Sequence, residues 1–105
     1  MATILLIEDE APLREMLMDE LSTQGHRVVE AANGEEGVAK FLETEPNLVL
    51  CDRAMPGMSG YDVLAHLREK HPEYNNVPFV FLTALSDPRD KAAVEHLAPA
   101  AYIEK

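Results

Sequence analysis

Two apolar runs of strand length each end in acid, and no other feature constrains this chain as much. Ile4-Leu5-Leu6-Ile7 leads into Glu8-Asp9-Glu10, and Leu48-Val49-Leu50-Cys51 leads into Asp52 and the turn-like Arg53-Ala54-Met55-Pro56-Gly57. An unpaired carboxylate is too costly to keep in a core, so each charge must sit where its strand leaves the interior. If the two runs lie side by side and parallel, several carboxylates converge on one rim. They would repel one another unless a hard cation neutralised them, and oxygen-rich acidic clusters suit Mg²⁺. Such a pocket, with one carboxylate set apart, suits phosphoryl chemistry.

Around these runs the pattern alternates between strand and helix. Thr3 to Ile7 is short enough for a strand, and Leu13, Met16, Leu17 and Leu21 then recur at helical spacing between Pro12 and Gln24. Pro12 is tolerated in a first turn, and Gly25 is a stop. Val28-Val29, between Arg27 and Glu30, suggests a short strand. Asn33 with Glu36 starts a helix whose buried face is Val38, Phe41 and Leu42, and Pro46 ends it. After the strand Leu48 to Cys51, Ser59 with Asp62 resembles a capping box for a helix that turns Val63, Leu64 and Leu67 inward and closes at His71-Pro72. Asn75-Asn76 mark a loop before a strand over Val77 to Thr83, where Pro78 is permissible near the start. Asp87-Pro88 opens a further helix with Val94 and Leu97 facing in, and Ala100 to Ile103 is a weak fifth strand.

Strands spaced by helices predict an α/β fold, a doubly wound parallel sheet covered on both faces. Right-handed crossovers leave few topologies, and the functional crevice of such a sheet lies at the carboxyl ends of its strands. The candidates all fall there: Glu8 and Asp9 after the first strand, Asp52 after the third, Thr83 ending the fourth and Lys105 after the fifth. One carboxylate could serve as nucleophile toward a phosphoryl group, giving an aspartyl phosphate. The other acids could hold Mg²⁺, while a Lys ammonium, a Thr hydroxyl and backbone N–H groups bind the remaining phosphoryl oxygens.

Composition narrows the function classes. The chain has 105 residues, enough for one domain, with 47% apolar and 27% charged residues, as in a globular protein. Nine Lys+Arg against 19 Asp+Glu give a net charge of −10, which disfavours nucleic acid or an anionic membrane as partner. No apolar run approaches the ~20 residues of a bilayer span and no signal peptide opens the chain, so a cytoplasmic location is expected. The single Cys51 excludes an internal disulfide, and within a strand it reads as a packed thiol. Gly57-Met58-Ser59-Gly60 fails the spacing of a serine hydrolase elbow. There is no P-loop, the four His are not spaced as metal ligands, and acids stand where a flavin protein would need Ser, Thr or Gly.

Taken in order, Ile4 to Glu10, Leu48 to Asp52 with Met55-Pro56-Gly57-Met58-Ser59-Gly60, Leu82-Thr83-Ala84 and Tyr102-Ile103-Glu104-Lys105 resemble the receiver domain of two-component response regulators, across essentially the whole chain. The resemblance implies a flavodoxin-like five-stranded parallel sheet of order 2-1-3-4-5. It implies Asp52 as phosphoacceptor, Asp9 as direct Mg²⁺ ligand, Glu8 as an acid acting through water, and the Ala54 carbonyl as a backbone ligand. Lys105 and Thr83 match the phosphoryl-binding pair, and Thr83 and Tyr102 the switch pair that reorients after phosphorylation. Implied partners are a histidine kinase or histidine phosphotransfer protein and a downstream effector protein or domain, recognised around Leu13, Arg14, Leu17 and Met18 and by any loop that follows Lys105. Such a domain is a signalling element that promotes its own phosphorylation and dephosphorylation, not an enzyme. Taken singly, Asp52 would read as a turn former, Thr83 as a strand residue, Tyr102 as packing and Lys105 as solvated.

The chain also departs from that family. It stops at Lys105, where relatives usually continue with a proline and a last helix. A truncated chain, an incomplete sequence, a natural minimal form and a swapped homodimer are the alternatives. Ala98-Pro99-Ala100-Ala101 replaces the common Gly-Ala-Asp-Asp, and Ala54 and Leu85 offer nothing to orient an attacking water, so a long-lived phosphoryl group is expected. The competing function is a receiver-like interaction module that works without phosphorylation, against which the intact acidic set argues.

Overall fold

Strands β1 (Thr3–Ile7), β2 (Arg27–Ala31), β3 (Leu48–Asp52), β4 (Phe79–Thr83) and β5 (Ala101–Glu104) form one parallel sheet in the order β2-β1-β3-β4-β5, as the resemblance implied. The computed structural model describes residues 2–52, 55, 57–74, 76–83 and 101–104, with backbone alone at 83 and 101–104. The expected helix from Asp87-Pro88, the loop preceding β5, and Ala54, Leu85 and Lys105 lie outside the described residues.

Alternation along the strands supplies both faces of the sheet. Leu5, Ile7, Val49, Cys51, Phe79 and Phe81 join one buried cluster, while Ile4, Leu6, Leu50, Val80 and Leu82 join the other. This double burial is what a parallel sheet with crossover helices requires. Helix α1 (Ala11–Thr23) covers the second cluster with Leu17, Met18 and Leu21. Helices α2 (Gly34–Thr44) and α3 (Gly60–Lys70) cover the first, through Phe41 and through Val63, Leu64 and Leu67.

The helix ends follow the local chemistry. The Asn33 side chain accepts from the Glu36 N–H at 2.8 Å, and Ser59 with Asp62 makes the reciprocal capping box at 3.2 and 3.0 Å. Gly25, at φ 90°, takes the left-handed turn just beyond α1.

Three expectations are corrected. Met16 is 56% exposed and does not face the core; Met18 does, because at about 100° per residue it lies toward Leu21 from Leu17 and Met16 lies away. Leu42 is 39% exposed, because the inward stripe of α2 is completed by Gly34 and Gly37, packed closely against Met58 and Ile7. An apolar count does not register glycines. Finally, β4 begins at Phe79 and not at Val77: the Val77 N–H turns back to the Tyr74 carbonyl of a 3-10 turn (Pro72–Tyr74), and Pro78 has no N–H to offer.

Candidate metal centre

The sheet register brings the acids together. Ile7 pairs with Cys51, so the next residues, Glu8 just past β1 and Asp52 ending β3, stand side by side. They share strand parity with Leu6 and Leu50, and adjacent strands stand about 4.8 Å apart. Asp9 follows on the turn into α1. Ligand oxygens of Glu8, Asp9 and Asp52 all lie within 4.8 Å of one another. Glu8 is 0% and Asp52 4% exposed, and Asp9 is the most accessible of the three.

The backbone here is pinned at several points. The Glu8 N–H donates to the Ala31 carbonyl at 3.0 Å, carrying the β1–β2 ladder one residue past the strand. Its Oε2 accepts from the Glu10 N–H at 3.2 Å, and its carbonyl accepts from Arg14 Nη1 at 2.8 Å. On β3, the Asp52 carbonyl accepts from the Cys51 thiol at 3.3 Å and lies against Gly60, the first residue of α3. Gly57 takes the left-handed conformation, at φ 77°, two residues before the Ser59 cap.

The donor set fits a small hard cation. Oxygens around an octahedral Mg²⁺ at about 2.1 Å stand about 3 to 4 Å apart, close to the separations available to these carboxylates. The field they create is felt next door. Burial, then Asp52 and Glu8 in turn, push the Cys51 thiol well above its ordinary value of 9.0. Below pH about 9 the thiol is neutral folded or unfolded. Above it, the unfolded chain releases the proton while the folded chain retains it, so stability falls as pH rises. Urea midpoints from pH 8 to 11 are therefore expected to decline less steeply for Cys51→Ala than for the native chain. Parallel slopes would contradict the shift.

Of the other expected site residues, Thr83 and Tyr102 are placed by their backbone. Thr83 ends β4 one residue beyond Leu82, the register partner of Asp52, and Tyr102 pairs with Phe81. Ala54 and Lys105 fall outside the described residues. Sequence reasoning overlooked the roles of Arg14 and Gly60 at the acidic rim. Neither carries a local signal, since each acts on a residue brought near only by the fold.

Comparison with known proteins places the chain. The family model for the response regulator receiver domain matches residues 4–105, and the chain belongs to that family. It is 42% identical over 102 residues to "Probable transcriptional regulator ycf27" of Porphyridium aerugineum, covering 97% of this chain and 41% of the relative. The chain thus spans about two fifths of the length of the curated relatives it matches. Among solved structures, chemotaxis protein CheY4 of Vibrio cholerae superposes with a TM-score of 0.93 at 27% identity, covering 100% of this chain and 87% of that one. Response regulator protein TrrA of Thermotoga maritima, solved in complex with Mg²⁺-BeF, gives 0.86 at 34% identity with coverage of 100% and 87%. Among the described residues, no helix is long and apolar enough to cross a membrane.

Proposed function

We propose that Asp52 accepts a phosphoryl group from a phosphohistidine of a histidine kinase or phosphotransfer protein, with residues 1–105 belonging to one cytoplasmic receiver domain. The observation that carries this reading is the meeting of Glu8, Asp9 and Asp52 oxygens within 4.8 Å at the carboxyl ends of two adjacent strands. Asp9 and Asp52 would hold Mg²⁺ directly, with the Ala54 carbonyl, and Glu8 through water. The bound ion would neutralise charge on the carboxylates and on the incoming phosphoryl oxygens. A carboxylate oxygen of Asp52 attacks phosphorus in line. The P–O bond forms as the P–N bond breaks, and the donor imidazole nitrogen keeps the electron pair and takes up a proton.

Lys105 and Thr83 bind the transferred group, and Thr83 and Tyr102 reorient to change the protein-binding surface. Water removes the group by attacking phosphorus: its P–O bond forms as the bond to the Asp52 oxygen breaks, which releases inorganic phosphate and restores the carboxylate. Output passes to an effector protein or domain, in keeping with the regulators this chain resembles. The Mg²⁺-BeF complex of TrrA supports the same chemistry here, since beryllofluoride stands in for a phosphoryl group.

Crystals or NMR samples supplied with Mg²⁺ and beryllofluoride test the reading. Both are expected beside Asp52, with amide shifts extending to Thr83 and Tyr102. Failure of either ion to bind there would overturn it.

A further inference from the structure

The two peptide groups flanking Asp9 are each held by a side chain. The carbonyl of the Glu8–Asp9 peptide accepts from Arg14 Nη1 at 2.8 Å, and the N–H of the Asp9–Glu10 peptide donates to Glu8 Oε2 at 3.2 Å. Between them these bonds hold both backbone torsions of Asp9. Arg14 is itself oriented from the neighbouring strand, because its Nε donates to Glu30 Oε1 at 3.2 Å. The planar guanidinium can hold both partners at once, which a lysine ammonium on its flexible stem does poorly.

We infer that Arg14 is a positioning residue for divalent cation binding: steered by Glu30, it fixes the turn that presents Asp9 beside Glu8 and Asp52. This rests on the metal reading of the acidic site. It assigns Arg14 an inward role, although the residue lies on the helix expected to face partners. The pair is partly exposed, so its direct effect on stability is small. What it supplies is geometry, and outer partners of metal ligands change affinity without touching the ion.

Charge and geometry make opposite forecasts, which renders the inference testable. If Arg14 acted only as a nearby cation, its removal would make the site more negative and Mg²⁺ would bind more tightly. As a positioning group, its removal weakens Mg²⁺. Calorimetric titration of the full chain with magnesium chloride, alongside melting curves in EDTA, separates these. Arg14→Met is expected to bind Mg²⁺ roughly tenfold more weakly than the native chain. Arg14→Lys should fall between the two, and Glu30→Ala should shift affinity the same way by less.

Unchanged or tighter binding by Arg14→Met overturns the inference, as does a lowered melting point with unaltered affinity. If that variant does not fold, Arg14→Lys decides: it keeps the charge and loses the fork, so native affinity there overturns the inference. Should the native chain itself fail to bind Mg²⁺, the metal reading falls and takes the inference with it, whereas native binding matched by every variant removes the inference alone.

Discussion

Asp52→Asn is expected to reduce incorporation of phosphoryl from acetyl phosphate and Mg²⁺ below detection, a loss of at least about a hundredfold. The amide nitrogen and oxygen are poor nucleophiles, and no neighbouring acid can substitute. Glu8 is fixed by three backbone-linked hydrogen bonds, and Asp9 stands on the turn between two peptides that are themselves held. The same substitution should act with the opposite sign on stability. It removes one of the carboxylates whose oxygens meet within 4.8 Å, two of them from buried residues, so relief of repulsion is expected to stabilise the metal-free protein by about 1 kcal/mol. Mg²⁺ should raise the melting point of the native chain more than that of the variant, because only binding to the folded state contributes. Labelling on phosphate-affinity gels and melting curves with and without EDTA read both effects. A labelled Asp52→Asn chain would remove the nucleophile from the mechanism.

Gly60→Ala is expected to cost about 3 kcal/mol, although helix propensity alone argues for a gain of about 1 kcal/mol. A Cβ there would strike the Asp52 carbonyl oxygen, approach its carbon to 3.0 Å and reach 3.1 Å from Phe81 Cε1. Asp52 cannot easily withdraw, since β3 is paired on both sides, with β1 and with β4. Phe81 is buried and held edge-on by Tyr61 at 5.2 Å. Either α3 lifts or the nucleophile shifts, so phosphorylation should fall along with stability. Gly37→Ala makes the contrast: its new methyl meets only side-chain atoms, Cδ1, Cγ1 and Cγ2 of Ile7, and no backbone, so the penalty should be smaller. Urea midpoints of the two variants test this. A Gly60→Ala chain as stable as the native one would show that the close approach to Asp52 is not needed.

Whatever depends on neighbours in the chain was legible in the sequence. The Asn33 and Ser59 caps, the strand Thr3 to Ile7, and the inward Val63, Leu64 and Leu67 each follow from residues within one turn or one strand. The meeting of Glu8, Asp9 and Asp52 was also readable, because two buried runs ending in acid have few ways to lie parallel. Helix faces were less so. Met16 and Met18 are chemically identical, and only the sheet beneath α1 selects the second. Gly34, Gly37 and Gly60 work by having no side chain, and that is invisible to a hydrophobic pattern. Arg14 and Glu30 are 16 residues apart, and their pairing exists only once α1 lies across β2.

Because the strands run parallel, their amino ends gather on an underside that carries none of the three acids. It is stitched by Thr3 with Asn47 at 2.8 Å and by Ala2 with His26 at 3.3 Å. Substitutions along that seam are therefore expected to loosen the scaffold while leaving the acidic rim unaltered.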